Sequence, residues 1–227
     1  MLSVVEVVAT VDGVVRCTGR PPLTPRQTGP GRVHLVGTGG GPLPGDVVDV
    51  HVTVGPGAAL ELGSVAGTIA QRGTLVEPSV WHFHVTVGDG GSLVVPGAPL
   101  VAAAGCRHRT VVDVDLAPDA SLVWSEVLVA GRTSEEPGSL STELRVRRAG
   151  IPILEQELTL SPALLAGARC VGTVVLVGPG RRPPEARLLG VDAVLMPLGA
   201  PDAALALAVG EPAPVHRVLG ALRVPVG

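Results

Sequence analysis

Three segments of the chain align without gaps: VTVGPGAALEL (52–62), VTVGDGGSLVV (85–95) and VDLAPDASLVW (114–124), set 33 and then 29 residues apart. Each reads as strand, turn, strand: apolar residues at alternate positions, a Pro/Gly/Asp corner, then a second apolar arm led by Leu60, Leu93 or Leu122. A looser fourth copy, TELRVRRAGIPIL (142–154), turns at Ala149 and Gly150. No such unit can bury its apolar face alone, so the repetition calls for stacking, either of hairpins or of coils. Valine supports the strand reading, because a side chain branched at Cβ suits a pleated surface better than a helix. The expected fold is mainly β and a single domain over 1–227: two stacked, mostly antiparallel sheets or a flattened β-solenoid. Its repeated core covers about 33–160 and a C-terminal segment covers 171–227. Two short helices are expected. Ser161 followed by Pro162 can start one over about 162–168, and Asp202 with Gly210 frames another over about 203–209.

The stretch VGTGGGPLPGD (36–46) suggests a phosphate cradle, but such a loop must open a helix whose first N–H groups face the anion. Here Pro42 and Pro44 are followed by DVVDVHVTV (46–54), whose valines alternate with polar residues as in a half-buried strand. Counting G-x-G-x-x-G from Gly37 also puts Pro42 at the last glycine position. The loop is therefore expected to be a turn between strands, with glycine supplying positive φ and Asp46 closing it through its side chain.

Composition narrows the function classes. The chain is 46% hydrophobic and 16% charged, yet its most apolar region, 188–209, is interrupted by Asp192, Pro197, Pro201 and Asp202. No run reaches the roughly 18 apolar residues of a spanning helix, so no membrane segment is expected. The start, MLSVVEVVATVDG, has no basic region and carries Glu6, unlike a signal peptide, and the expected location is the cytoplasm. Cys17, Cys106 and Cys170, odd in number and far apart, suit a reducing compartment. A net charge of −3 and only three aromatic residues, Trp81, Phe83 and Trp124, give nucleic acid nothing to hold. All 17 basic residues are arginine, and a chain without lysine cannot be an ordinary P-loop NTPase. No G-x-S-x-G, H-E-x-x-H or C-x-x-C motif occurs.

Candidate chemistry gathers in a few places. His82 and His84 lie two apart on one strand and share a face, a suitable pair of imidazole ligands for nickel or zinc. Cys106 and His108 form a second pair. Strand parity turns His82 and His84 outward and Cys106 and His108 inward, so the two pairs converge only if a bulge intervenes. Glu126, Arg132 and Glu135 fall near one strand end and loop, where they offer a polar partner contact or a carboxylate for metal relay; an exposed ion pair is the plainer reading. Trp124 reads as core.

In this order, these segments resemble the UreD (UreH) family of urease accessory proteins. Gly40, Gly41, Gly45 and Asp46 fit that family's glycine-glycine, three residues, glycine-aspartate pattern. The likeness continues through VTVGPGAAL, VTVGDGGSLVV with Pro96, DLAPDASLVWSE, Gly131 with Arg132, RAGIPILEQELTL, VGTVVLV and VHRVLGALR, from about Val33 to Arg223. A polar, threonine-glutamine-alanine-rich stretch of the family is replaced here by LGSVAGTIAQRG (62–73). The resemblance implies a non-catalytic chaperone that joins UreF and the GTPase UreG on apo-urease and helps nickel, as a transient cargo, reach the active site. It also makes Gly40, Gly41, Gly45, Asp46, Trp124, Arg132 and Glu135 candidate partner-binding or structural positions. The residues alone leave two other readings open: a cupin-like β-rich enzyme domain holding a metal through His82 and His84, and a metal-free solenoid module for protein contacts.

Overall fold

Valine at alternate positions makes strand, and strand accounts for most of the chain. The computed structural model describes residues 2–13, 15–160, 165–179, 185–190 and 192–222. In chain order the strands are β1 (Leu2–Ala9), β2 (Val15–Gly19), β3 (Leu23–Gly29), β4 (Arg32–Gly37), β5 (Val47–Val54), β6 (Ala59–Ser64), β7 (Thr68–Ala70), β8 (Ser79–Val87) and β9 (Ser92–Val95). They continue with β10 (Pro99–Ala102), β11 (Arg107–Leu116), β12 (Ser121–Ala130), β13 (Ser139–Arg148), β14 (Ile151–Leu160), β15 (Cys170–Val177), β16 (Arg187–Gly190), β17 (Ala193–Pro197) and β18 (Ala203–Gly210), and helix α1 (Pro212–Gly220) follows. A front sheet runs β14-β13-β11-β8-β5-β1-β2. A back sheet runs β16-β17-β18-β15-β12-β9-β6-β4-β3, with β10 beside β12 and β7 beside β10.

The first three repeats are coils of a flattened solenoid. Each leaves the front sheet as β5, β8 or β11, turns a corner and enters the back sheet as β6, β9 or β12, so its two arms never pair with each other. The corners are held to one another instead: Ser92 N–H donates to Ala58 O at 2.8 Å and Ser121 N–H to Gly91 O at 2.9 Å. Pairing in the middle of both sheets is therefore parallel, and the antiparallel pairing expected from hairpins belongs to their flanks. The looser fourth copy is a true hairpin. β13 pairs antiparallel with β14 through Ala149 and Gly150, at φ 49° and 78°, the conformation a two-residue hairpin loop requires.

Parallel pairing puts like residues of successive coils side by side. Leu60 faces Leu93, which faces Leu122, and Val52, Val85, Val114 and Val146 form a second row. All seven are buried in the main core between the sheets, where each such side chain contributes about 1.5–3 kcal/mol.

Two successive coils of the back sheet are broken where the front sheet is continuous. Residues 65–67 separate β6 from β7, and 96–98 separate β9 from β10, while β12 runs past both breaks as one strand. Gly97 makes the second break possible: its φ is +67°, and a Cβ there would stand 2.5 Å from Ser125 O. The breaks open a space between the sheets.

The helix expected over 203–209 is strand β18. Flanked by β15 and β17, it is buried on both faces, with Ala203 and Leu205 in the main core and Ala204, Ala206 and Ala208 in a second cluster beneath α1. A two-sided apolar run has no period, and the helix propensity of alanine then misleads. Of the helix expected over 162–168, residues 162–164 lie outside the described residues; Leu165 is helical, and the chain leaves the helix at Ala166 and Gly167, at φ 48° and 94°. Helix α1 begins with Pro212 in its first turn and seats Val215 and Leu219 against Gly172 of β15, where a Cβ would stand 2.4 Å from Leu219 Cδ1. Among the described residues, no helix is long and apolar enough to cross a membrane.

Gly97→Ala should lower stability by about 1–3 kcal/mol, since it adds left-handed strain to a backbone clash. Urea denaturation, read as a lower midpoint at unchanged slope, measures this.

Candidate functional site

Strands that face a core on one side place every second residue inside, and on three neighbouring strands some of those inner positions are polar. On β12 the inner residues are Leu122, Trp124, Glu126 and Leu128; on β13 they are Leu140, Thr142, Leu144 and Val146; on β11 they are His108, Thr110, Val112 and Val114. Leu122, Trp124, Leu144 and Val112 belong to the main core, whereas Leu128, Leu140 and Cys106 belong to a smaller cluster at the other end. Between the two clusters lies a polar layer made of Ser79, His108, Thr110, Thr142 and Glu126.

The layer has two halves. His108 is satisfied at both ring nitrogens, with Nδ1 2.9 Å from Ser79 Oγ and Nε2 3.1 Å from Thr110 Oγ1. Burial pushes its pKa down to about 4, so it is neutral near pH 7. In the other half, Thr142 Oγ1 donates to the two Glu126 carboxylate oxygens at 3.0 and 3.2 Å. Burial raises the Glu126 carboxyl to about 7, although the Thr142 hydroxyl and the adjacent Trp124 indole favour the charged form. Such a carboxyl can hold or release a proton near neutrality.

Glu126 borders the space opened by the broken coils, a cavity of about 130 Å³. Trp81, Phe83, Thr110, Trp124, Ser125 and Thr142 share its lining, and Glu126 is its one acidic residue. Two polar atoms on these lining residues are buried without a protein partner: Trp81 Nε1 and Ser125 Oγ. Buried donors left in this state are ordinarily met by water or a guest, and the cavity has room for several waters. All three aromatic residues of the chain meet here, Phe83 lying edge-on to both Trp81 and Trp124 at 6.4 and 5.9 Å.

The other candidates lie apart. His82 and His84 stand on the outer face of the front sheet, while Cys106 and His108 lie between the sheets, so the two pairs form no common site. The Cys106 thiol contacts Ser139 O at 3.7 Å, and burial, helped by the negative charge of Glu135, raises it to about 11. It stays a thiol at neutral pH and is a poor metal ligand in that form. Glu126 sits in the middle of β12, away from Arg132 and Glu135, which form an exposed pair at 3.1 Å in the loop after that strand. Grouping these three by sequence proximity therefore joined an inner side chain to an outer loop. Trp124 is core, 3% exposed.

Gly40, Gly41, Gly45 and Asp46 form the link from β4 in the back sheet to β5 in the front sheet, and no helix follows them. Asp46 Oδ2 accepts the Leu43 N–H at 3.0 Å, closing the turn. Sequence reasoning missed Ser79, Thr110 and Thr142. Their signal was polar identity at inner parity, the same signal that singles out Glu126.

A family model described as UreD urease accessory protein matches residues 17–221. Proteins named urease accessory protein UreD are similar over most of their length. One from Parafrankia sp. (strain EAN1pec) is 37% identical, covering 88% of this chain and 79% of its own. One from Streptomyces avermitilis is 38% identical, covering 88% and 86%. One from Frankia alni is 34% identical, covering 98% and 87%.

The two halves of the polar layer should oppose each other as pH changes. His108 titrates near 6.5 when unfolded and near 4 when folded, so its contribution is complete above 6.5 and is lost as pH falls toward 4. Glu126 titrates near 4.5 when unfolded and near 7 when folded, so its contribution is complete below 4.5 and is lost as pH rises through 7. Each amounts to about 3 kcal/mol. In urea denaturation at pH 5 and pH 7, Glu126→Gln should gain stability relative to wild type as pH rises, and His108→Gln should lose it. Alkylation of the native protein should modify half-buried Cys17 first and leave buried Cys106 and Cys170 until unfolding.

Proposed function

The chain belongs to the UreD family of urease accessory proteins, and on that footing we propose that it is a non-catalytic maturation factor, acting in the cytoplasm with UreF and the GTPase UreG on apo-urease to bring nickel to the active site. The observation that carries the nickel part is Glu126, one carboxylate beside a cavity whose lining is otherwise apolar or uncharged. Nickel is the cargo here. Its preferred protein ligand is imidazole, and His108, whose Nε2 meets the cavity-lining Thr110, is occupied by Ser79 and Thr110. A carboxylate, hydroxyls and water therefore hold the ion weakly, which suits passage rather than storage. A carboxyl that titrates near 7 can exchange its proton for the cation as the cation arrives.

The division of labour also agrees with composition: without lysine the chain has no ordinary P-loop, in keeping with nucleotide hydrolysis by a partner. For docking, the glycine link between β4 and β5 adjoins exposed apolar side chains. Gly45 N–H donates to Pro78 O at 3.3 Å, and Leu43, Leu75 and Val76 are 40%, 57% and 70% exposed in the same region. Apolar side chains presented on adjoining loops are what a partner subunit would cover, and Gly40, Gly41, Gly45 and Asp46 set their backbone.

Glu126→Gln keeps the shape and removes the charge. Co-expressed with urease and the other accessory proteins, it should lower urease activation by about tenfold or more while still co-purifying with UreF. Full activation would remove the carboxylate from the nickel path, and wild-type chain that does not co-purify with UreF would overturn the partnership.

A further inference from the structure

The outer face of the front sheet holds a second group of metal-ligating atoms. Parallel register sets Asp49 of β5 opposite His82 of β8, and His51 opposite His84. His82 Nδ1 lies 3.3 Å and His84 Nε2 lies 4.0 Å from the same Asp49 oxygen, Oδ1. The three ligand atoms all fall within 4.8 Å of one another. Four ligands around zinc at bonds of about 2.0–2.1 Å stand about 3.4 Å apart, so the Asp49–His82 edge already has ligand spacing and His84 needs only a small rotation.

The scaffold suits such a site. β5 and β8 are inner strands of the front sheet, flanked by β1 and β11, so the ligands rise from a rigid surface. His51 stacks on His84 at 4.9 Å with the rings 15° apart, which limits the motion of that imidazole. Asp113, opposite His84 on the next strand, is bound by Arg145 at 3.3 Å, so it does not compete for the site. The Asp49, His82 and His84 side chains keep 26%, 38% and 48% of their exposure, which leaves the remaining coordination positions to water.

We propose that Asp49, His82 and His84 form an open three-ligand site for a divalent first-row transition cation, nickel or zinc, on the outer face of the front sheet and separate from the Glu126 cavity. Two imidazoles and one carboxylate favour such ions over magnesium or calcium, which take oxygen ligands. The site does not depend on the maturation role, because it rests on ligand type and spacing alone.

Calorimetric titration of the full-length chain with nickel chloride and, separately, zinc chloride tests it. Wild type should bind one equivalent that is lost in the His82→Ala/His84→Ala double variant. Asp49→Asn, which preserves shape, should weaken that equivalent by about tenfold or more. His216→Ala, which removes an exposed imidazole on α1, should leave it unchanged. Retention of the equivalent in the double variant, its loss in His216→Ala, or absence of binding by wild type into the millimolar range would each overturn the site. Urease activation by the same variants reads the maturation role independently: full activation by the double variant leaves the cation site standing.

Discussion

In-register stacking of one coil on the next is the constraint from which the rest of the molecule follows. Because β5, β8 and β11 pair in parallel, and so do β6, β9 and β12, a leucine or valine at one level of a coil meets its counterpart in the next. A parallel strand buried among its neighbours has little tolerance for slippage, since a shift of one residue would turn every inner valine outward. The same register places polar residues at matching levels. Thr110 faces Thr142 for the reason that Val112 faces Leu144.

That register explains why a polar layer crosses an otherwise apolar interior. A lone carboxylate between two hydrophobic clusters is costly when charged, and Glu126 responds by rising in pKa while keeping the Thr142 hydroxyl as a donor. His108 solves the complementary problem by staying neutral between two hydroxyls. The breaks in the back sheet add space next to Glu126 and leave His108 enclosed, so one half of the layer borders a cavity and the other half is closed off.

Much of this was legible in the sequence, for physical reasons that differ by element. The repeats at 52–62, 85–95 and 114–124 gave the coil arms, because alternation and Pro/Gly/Asp corners are local properties. Whether those arms fold back on themselves or cross between sheets is decided by partners far along the chain, so hairpin and coil stayed open. The sequence of β18 favours helix because alanine is a strong helix former and burial on both faces erases the alternation that marks a strand. Parity separated His82 and His84 from Cys106 and His108. Asp49 joins His82 only through pairing between β5 and β8, and Thr142 joins Glu126 only across the sandwich, so neither partner can be found from spacing within one segment.

The ends of the two sheets have a consequence for assembly. A stack of parallel coils could in principle recruit further copies without limit, since its last coil offers the same hydrogen-bonding rim as every coil inside it. Here the fourth repeat reverses direction, and β14 presents Pro152, Glu155 and Glu157 at the border of the front sheet. The borders of the back sheet are the four-residue β16 and the proline-containing β3. A proline lacks the amide an incoming strand would need, and carboxylates repel a like neighbour, so β14 and β3 are poor templates for a further strand.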